Sequence, residues 1–211
     1  MIQATVTGID ARTNIDRIPS RFELGFLFSA TPDGKRQPGR ETLAQLVYRC
    51  RFGPSALHVC GGEARRQLVA GLVPDLVEWV QRIQVNGTVG VGELLAICHQ
   101  YPKHTIITQA TPANSGHCRS GLANHAMLVD GSGGRGVLPR EWVRPATEQA
   151  VGFAGGLSPD TLLEQLPRIQ AVACGKWWID MENGVRDADD WFDVERVRSV
   201  ACLLTAFESG C

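Results

Sequence analysis

Asp130-Gly131-Ser132-Gly133-Gly134-Arg135-Gly136 and Ala154-Gly155-Gly156-Leu157-Ser158-Pro159-Asp160 are the two stretches that decide how this chain reads. Each follows a short apolar run, Ala126–Val129 and Val151–Ala154, and so leaves the C-terminal end of a predicted strand. The second turn leads into a helix expected from about Ser158, with Pro159 at its first position. Paired glycines let the backbone approach a bound group closely, and N–H groups at a helix start can hold an anion. The glycines at 133, 134, 136, 155 and 156 are therefore expected to bind phosphate, with Asn183 and Gly184 extending the same pocket. Two such turns about one βα unit apart, late in a chain of this length, point to a phosphorylated small molecule as ligand.

Outward from these turns, strand-like and helix-like patterns alternate along the whole chain. Strands are expected at Ile2–Thr7, Glu23–Ser29, Ala56–Cys60 and Arg82–Val85, then at Thr105–Gln109, Ala126–Val129, Val151–Ala154 and Trp177–Met181. Helices are expected at Arg40–Cys50, Glu63–Gly71, Val91–His99, Arg140–Thr147, Pro159–Ile169 and Val194–Phe207. The stretch up to Arg21 and the Gly/Ser/Asn-rich Pro112–Leu122 lack a helical period. The expected fold is α/β: a single-domain (β/α)8 TIM barrel over residues 1–211, with some irregular or missing helices. Closing the sheet also removes its edges, which favours a barrel over an open sheet.

Composition narrows the function. The 211 residues are 44% hydrophobic and 20% charged with a net charge of −1, which argues against disorder and against a large nucleic-acid footprint. No apolar run is long enough to span a bilayer, and Met1–Val6 lacks the regions of a signal peptide, so a cytoplasmic protein is expected. Seven cysteines, odd in number and with no CxxC pair, favour free thiols over disulfides or zinc. Only His58 and Cys60, two apart on a strand, are expected to share a face. No metal and no cofactor is expected. The anticipated state is a monomer or homodimer whose partner is the phosphorylated substrate.

Set in order, these segments resemble phosphoribosylanthranilate isomerase, the barrel enzyme of tryptophan biosynthesis. Leu128-Val129-Asp130, Gly133-Gly134-Arg135-Gly136 and Glu141-Trp142 look like that family's LLD…GGTGxxFDW. Phe153–Asp160 looks like its LAGGLNPEN, and Ile179–Val185 is similar to its VDVSSGVE. The resemblance implies an Amadori rearrangement of an aminoaldose phosphate, with Asp130 as general acid. The family places its catalytic base, a cysteine, in a KxCGI motif at the end of the first strand. Here Thr7 occupies that position, and a hydroxyl is far too weak a base at neutral pH.

Either the base has moved or the family reaction has been lost. Cys60, ending the third strand before Gly61-Gly62, is the candidate replacement, with His58 to orient or deprotonate it. Glu182, at the end of the eighth strand, is a second candidate base. The resemblance also implies an arginine after strand two that binds the substrate's carboxylate; Arg36 in the long loop 31–39 stands in roughly that place, with Lys35 and Arg40 nearby as alternatives. Two alternatives stay open: a sugar-phosphate aldolase or lyase on the same barrel, and a non-catalytic descendant that binds a phosphometabolite or a protein.

Overall fold

The structure, a computed structural model, describes residues 1–130 and 135–210. Its eight strands form a closed parallel barrel in sequence order. They are β1 (Gln3–Thr7), β2 (Phe22–Ser29), β3 (Ser55–Cys60), β4 (Arg82–Val85), β5 (Thr105–Gln109), β6 (His125–Asp130), β7 (Val151–Ala154) and β8 (Trp177–Met181). Outside them lie α1 (Arg40–Arg49), α2 (Gly62–Val69), α3 (Pro74–Val77), α4 (Val91–Gln100), α5 (Leu162–Val172) and α6 (Val194–Glu208). Short 3-10 turns at Ile15–Arg17 and Pro112–Arg119 stand after β1 and β5, the two places where the sequence lacks a helical period. Among the described residues no helix is long and apolar enough to cross a membrane.

Three elements differ from the sequence expectation. The helix expected at Arg140–Thr147 does not form. Pro139 and Pro145 bracket it, and each proline removes a backbone donor and disfavours helix before it. Trp142 is buried instead, donating to Gln165 Oε1 at 3.0 Å and packing edge-on to Phe153. The helix expected from Pro159 begins only at Leu162, because Thr161 Oγ1 accepts from the Ser158 N–H at 3.0 Å and donates to the Gly156 carbonyl at 3.0 Å. These bonds hold a turn open ahead of the helix. The third difference is α3, four residues too short to carry a period.

Alternation along the strands divides two cores. Most buried apolar side chains lie in one large cluster, while a smaller one gathers Ile107, Ala126, Leu128, Ala154 and Trp178 from strands β5 to β8. Trp177 meets Phe153 in the large cluster and Trp178 enters the small one, the split expected of adjacent strand residues. The Arg82 guanidinium stacks 4.0 Å over the Trp178 ring and lies 3.3 Å from Glu23 Oε1, which accepts from Thr5 Oγ1 at 2.8 Å. The charged pair is thus buried but partnered, and its level closes the floor below the barrel mouth.

A buried histidine pair braces β5 and β6. Thr108 Oγ1 lies 2.9 Å from both His117 Nδ1 and His125 Nε2. Burial, with the nearby His117 adding to it, pushes His125 down to about 4. A histidine pKa lowered by folding stabilises the protein above about 6.5 and loses that contribution as pH falls toward 4. Denaturant midpoints should therefore drop between pH 7 and 4.5, and the drop should be shallower in His125→Gln. An equal slope in the variant would mean that His125 does not contribute to it.

Candidate functional site

The C-terminal ends of β3 to β8 surround a cleft of about 540 Å³, counting its open mouth. Three loops meet there through contacts that only glycine permits. A Cβ on Gly136, after β6, would fall 2.0 Å from Asn183 Nδ2, after β8. One on Gly156, after β7, would fall 2.5 Å from the Leu138 nitrogen, after β6. One on Gly184 would fall 1.9 Å from the Leu157 carbonyl oxygen. Each loop therefore touches the other two. Arg196 of α6 adds a clasp, donating to the Gly184 carbonyl at 2.9 Å and to Asp160 at 2.8 Å.

Gly155 and Gly156 adopt φ of 110° and 67°, a left-handed backbone that other residues rarely take. Among the described residues, the N–H groups of Gly155, Gly156 and Leu157 donate to no group of the chain. Gly155, Gly156 and Leu157 line the cleft with Gly136, Asn183 and Gly184. Main-chain donors in such a concavity suit an anion. Gly133 and Gly134 lie outside the described residues.

Two carboxylates stand beside this cradle. Asp130 pairs with Ala154 across β6–β7, and Ala154 pairs with Asp180 across β7–β8, so the aspartates stand in register on either side of Ala154. Asp180 is buried, and its Oδ1 accepts from Thr7 Oγ1 at 2.7 Å. Burial lifts its pKa to about 6, opposed by the Thr7 hydrogen bond and by Arg82. Gly25 makes the arrangement possible: a Cβ there would lie 2.4 Å from the Thr7 hydroxyl. Asp180 was missed in the sequence, where Asp180-Met181 reads as one more strand position. The family position held by Thr7 was the available clue.

The other expected residues are placed as follows. Burial pushes the Cys60 thiol up to about 12, and the nearby Glu182 adds to the rise. It donates to the main-chain carbonyl of His58 at 3.5 Å, not to the imidazole, and accepts from Asn86 Nδ2 at 3.4 Å. His58 lines the cleft, and burial pushes it down to about 4, leaving it neutral. Glu182 lines the cleft too, but its carboxylate accepts from Arg36 Nη1 at 2.9 Å. Arg36 also donates through Nε to both Asp190 oxygens at 2.9 Å, through Nη2 to Asp190 at 2.6 Å, and to Asn183 Oδ1. It latches the loop after β2 onto the loop after β8, and the hydrogen bond to Asp190 is the main reason its pKa rises.

No protein-family model and no curated protein matches this chain. Solved structures do. Phosphoribosyl anthranilate isomerase from Thermus thermophilus aligns with a TM-score of 0.70 at 19% identity, covering 98% of this chain and 100% of that one. TrpF from Jonesia denitrificans aligns with a TM-score of 0.71 at 15% identity, covering 98% of both chains. 3-Hexulose-6-phosphate synthase from Salmonella typhimurium follows at 0.60 and 13%, covering 97% of this chain and 99% of that one. At these identities the likeness is one of fold.

The loop interlock is directly testable. Gly184→Ala forces a methyl group against the Leu157 carbonyl, a backbone atom that cannot swing aside. The variant should lose about 1–3 kcal/mol of folding stability. Unchanged stability would show that the contact between the two loops is not tight.

Proposed function

We propose that the protein isomerises an N-substituted aminoaldose phosphate to the corresponding aminoketose, with the phosphate held at the turns after β7 and β8. The observation that carries this reading is the register of Asp130 and Asp180, which flank Ala154 immediately before the Gly155–Gly156 turn. Neighbouring strands run about 4.8 Å apart, so two strands separated by a third place their Cα atoms about 10 Å apart. A sugar anchored by its phosphate at β7 then has one carboxyl group on either side.

In this reaction Asp130 protonates the ring oxygen. The nitrogen lone pair forms the C1–N double bond as the C1–O bond breaks. Asp180 removes the proton from C2, and the C–H electron pair becomes the C1–C2 double bond of an enaminol while the nitrogen regains its lone pair. Protonation at C1 and loss of the hydroxyl proton give the ketone and restore both carboxyl groups. A general base works best with a pKa near the working pH. Asp180, lifted by burial to about 6, meets that condition, whereas the Cys60 thiol at about 12 does not. Thr7 donates to the base that the fold supplies and is not itself the base.

Asp130→Asn and Asp180→Asn should each lower kcat by at least about 10²-fold while ribose 5-phosphate still binds. Thr7→Val removes a hydrogen bond that favours the carboxylate, so the acidic limb of the kcat–pH profile should move to higher pH. Full turnover by Asp180→Asn would eliminate it as the base.

A further inference from the structure

The arc of the mouth opposite the phosphate cradle is built from amides whose orientation can be deduced. The chain of bonds starts at the His58 carbonyl, which can only accept, and which receives the Cys60 thiol proton at 3.5 Å. The Cys60 sulfur is then the acceptor for Asn86, so the Asn86 atom facing it is Nδ2. Asn86 Oδ1 in turn receives Gln84 Nε2 at 2.9 Å, which leaves Gln84 Oε1 as an acceptor. On the next strand, Gln109 Oε1 receives the Gly87 N–H at 2.8 Å, which leaves Gln109 Nε2 as a donor. Gln84, Asn86 and Gln109 all line the cleft. One outward acceptor and one outward donor are the complement of a primary amide, which offers an N–H and a carbonyl side by side.

Charge points the same way. Asp130, Asp180 and Glu182 line the cleft, and among the described lining residues there is no lysine or arginine. Arg36, which could reach toward it, is held by Asp190, Glu182 and Asn183. An acidic substituent would meet the carboxylate of the base and no unengaged cation among the described lining residues, whereas a neutral one would meet fixed hydrogen-bonding groups. We propose that the β3–β5 arc reads an uncharged primary carboxamide on the nitrogen substituent of the aminoaldose phosphate. This substrate class rests on the isomerase reading above. Cys60 is then a positioning residue, setting the polarity of Asn86 and Gln84.

The test uses calorimetry with two inert, ring-opened ligands, the reduced ribitol phosphates of 2-aminobenzamide and 2-aminobenzoate, which differ only at the carboxamide. The benzamide ligand should bind at least about tenfold more tightly than the benzoate. Gln109→Glu, which exchanges the donor for a carboxylate oxygen, should erase most of that preference. Cys60→Ala should reduce it, and Cys60→Ser, which keeps a donor and an acceptor, should restore it. Equal or tighter binding of the benzoate overturns the assignment, as does benzamide binding no tighter than ribose 5-phosphate. Turnover by the wild type and Asp180→Asn judges the isomerase reading separately, so the two can fail independently.

Discussion

Mutual exclusion of side chains where three loops meet is the constraint on which the mouth of this barrel depends. Gly136 gives way to Asn183, Gly156 to Leu138 and Gly184 to Leu157, so the loops after β6, β7 and β8 form a closed ring of contacts. A Cβ at any one position would force backbone or a short side chain to move, and packed interiors absorb little of that. With the ring intact, the Gly155–Leu157 donors face the cleft instead of folding back on the chain. The arrangement of these donors is thus a product of packing.

The adjoining side of the mouth is held by charge. Arg186, nearly inaccessible, donates to the Gly8 carbonyl at 2.8 Å and lies 3.5 Å from the fully buried Asp10. It also donates to the Asp190 carbonyl at 2.7 Å. Asp190 takes a left-handed φ of 65° and offers its carboxylate to both Arg186 and Arg36. One strained residue thereby joins the loops after β1, β2 and β8. An unpaired charge at Asp10 or Arg186 would cost on the order of 3–5 kcal/mol, which explains why the pairing is so complete.

Between these supports, one strand-end pair, Thr7 and Asp180, lies buried at the cleft. Burial raises Asp180 while the Thr7 hydroxyl and Arg82 restrain the rise, and the balance lies near neutrality. Arg82 sits a layer lower, stacked on Trp178 and paired with Glu23, so the floor of the barrel also tunes its mouth. A raised carboxylate opposes folding at neutral pH, because its contribution to stability is lost as pH rises from about 4 to about 6. Such a cost at one buried group is what a site poised for proton transfer accepts.

The order of eight strands was legible in the residues, because a period of two between turn signals survives whatever packs around it. The glycine turns were legible for a similar reason: Gly155 and Gly156 declare a backbone need that no neighbour alters. The missing helix at 140–147 was half visible in Pro139 and Pro145, while the burial of Trp142 against Gln165 depended on a helix 20 residues away in sequence. Which acid group is poised to take a proton was not legible at all. Cys60 suggested itself by residue type, while the burial that pushes its thiol up to about 12 and the Thr7 hydroxyl 173 positions away that bonds Asp180 both come from the fold. Local sequence determined the strands and turns, since those are backbone preferences; only the closed barrel decided burial, partners and proton affinity, because those belong to the space between strands that the chain brings together last.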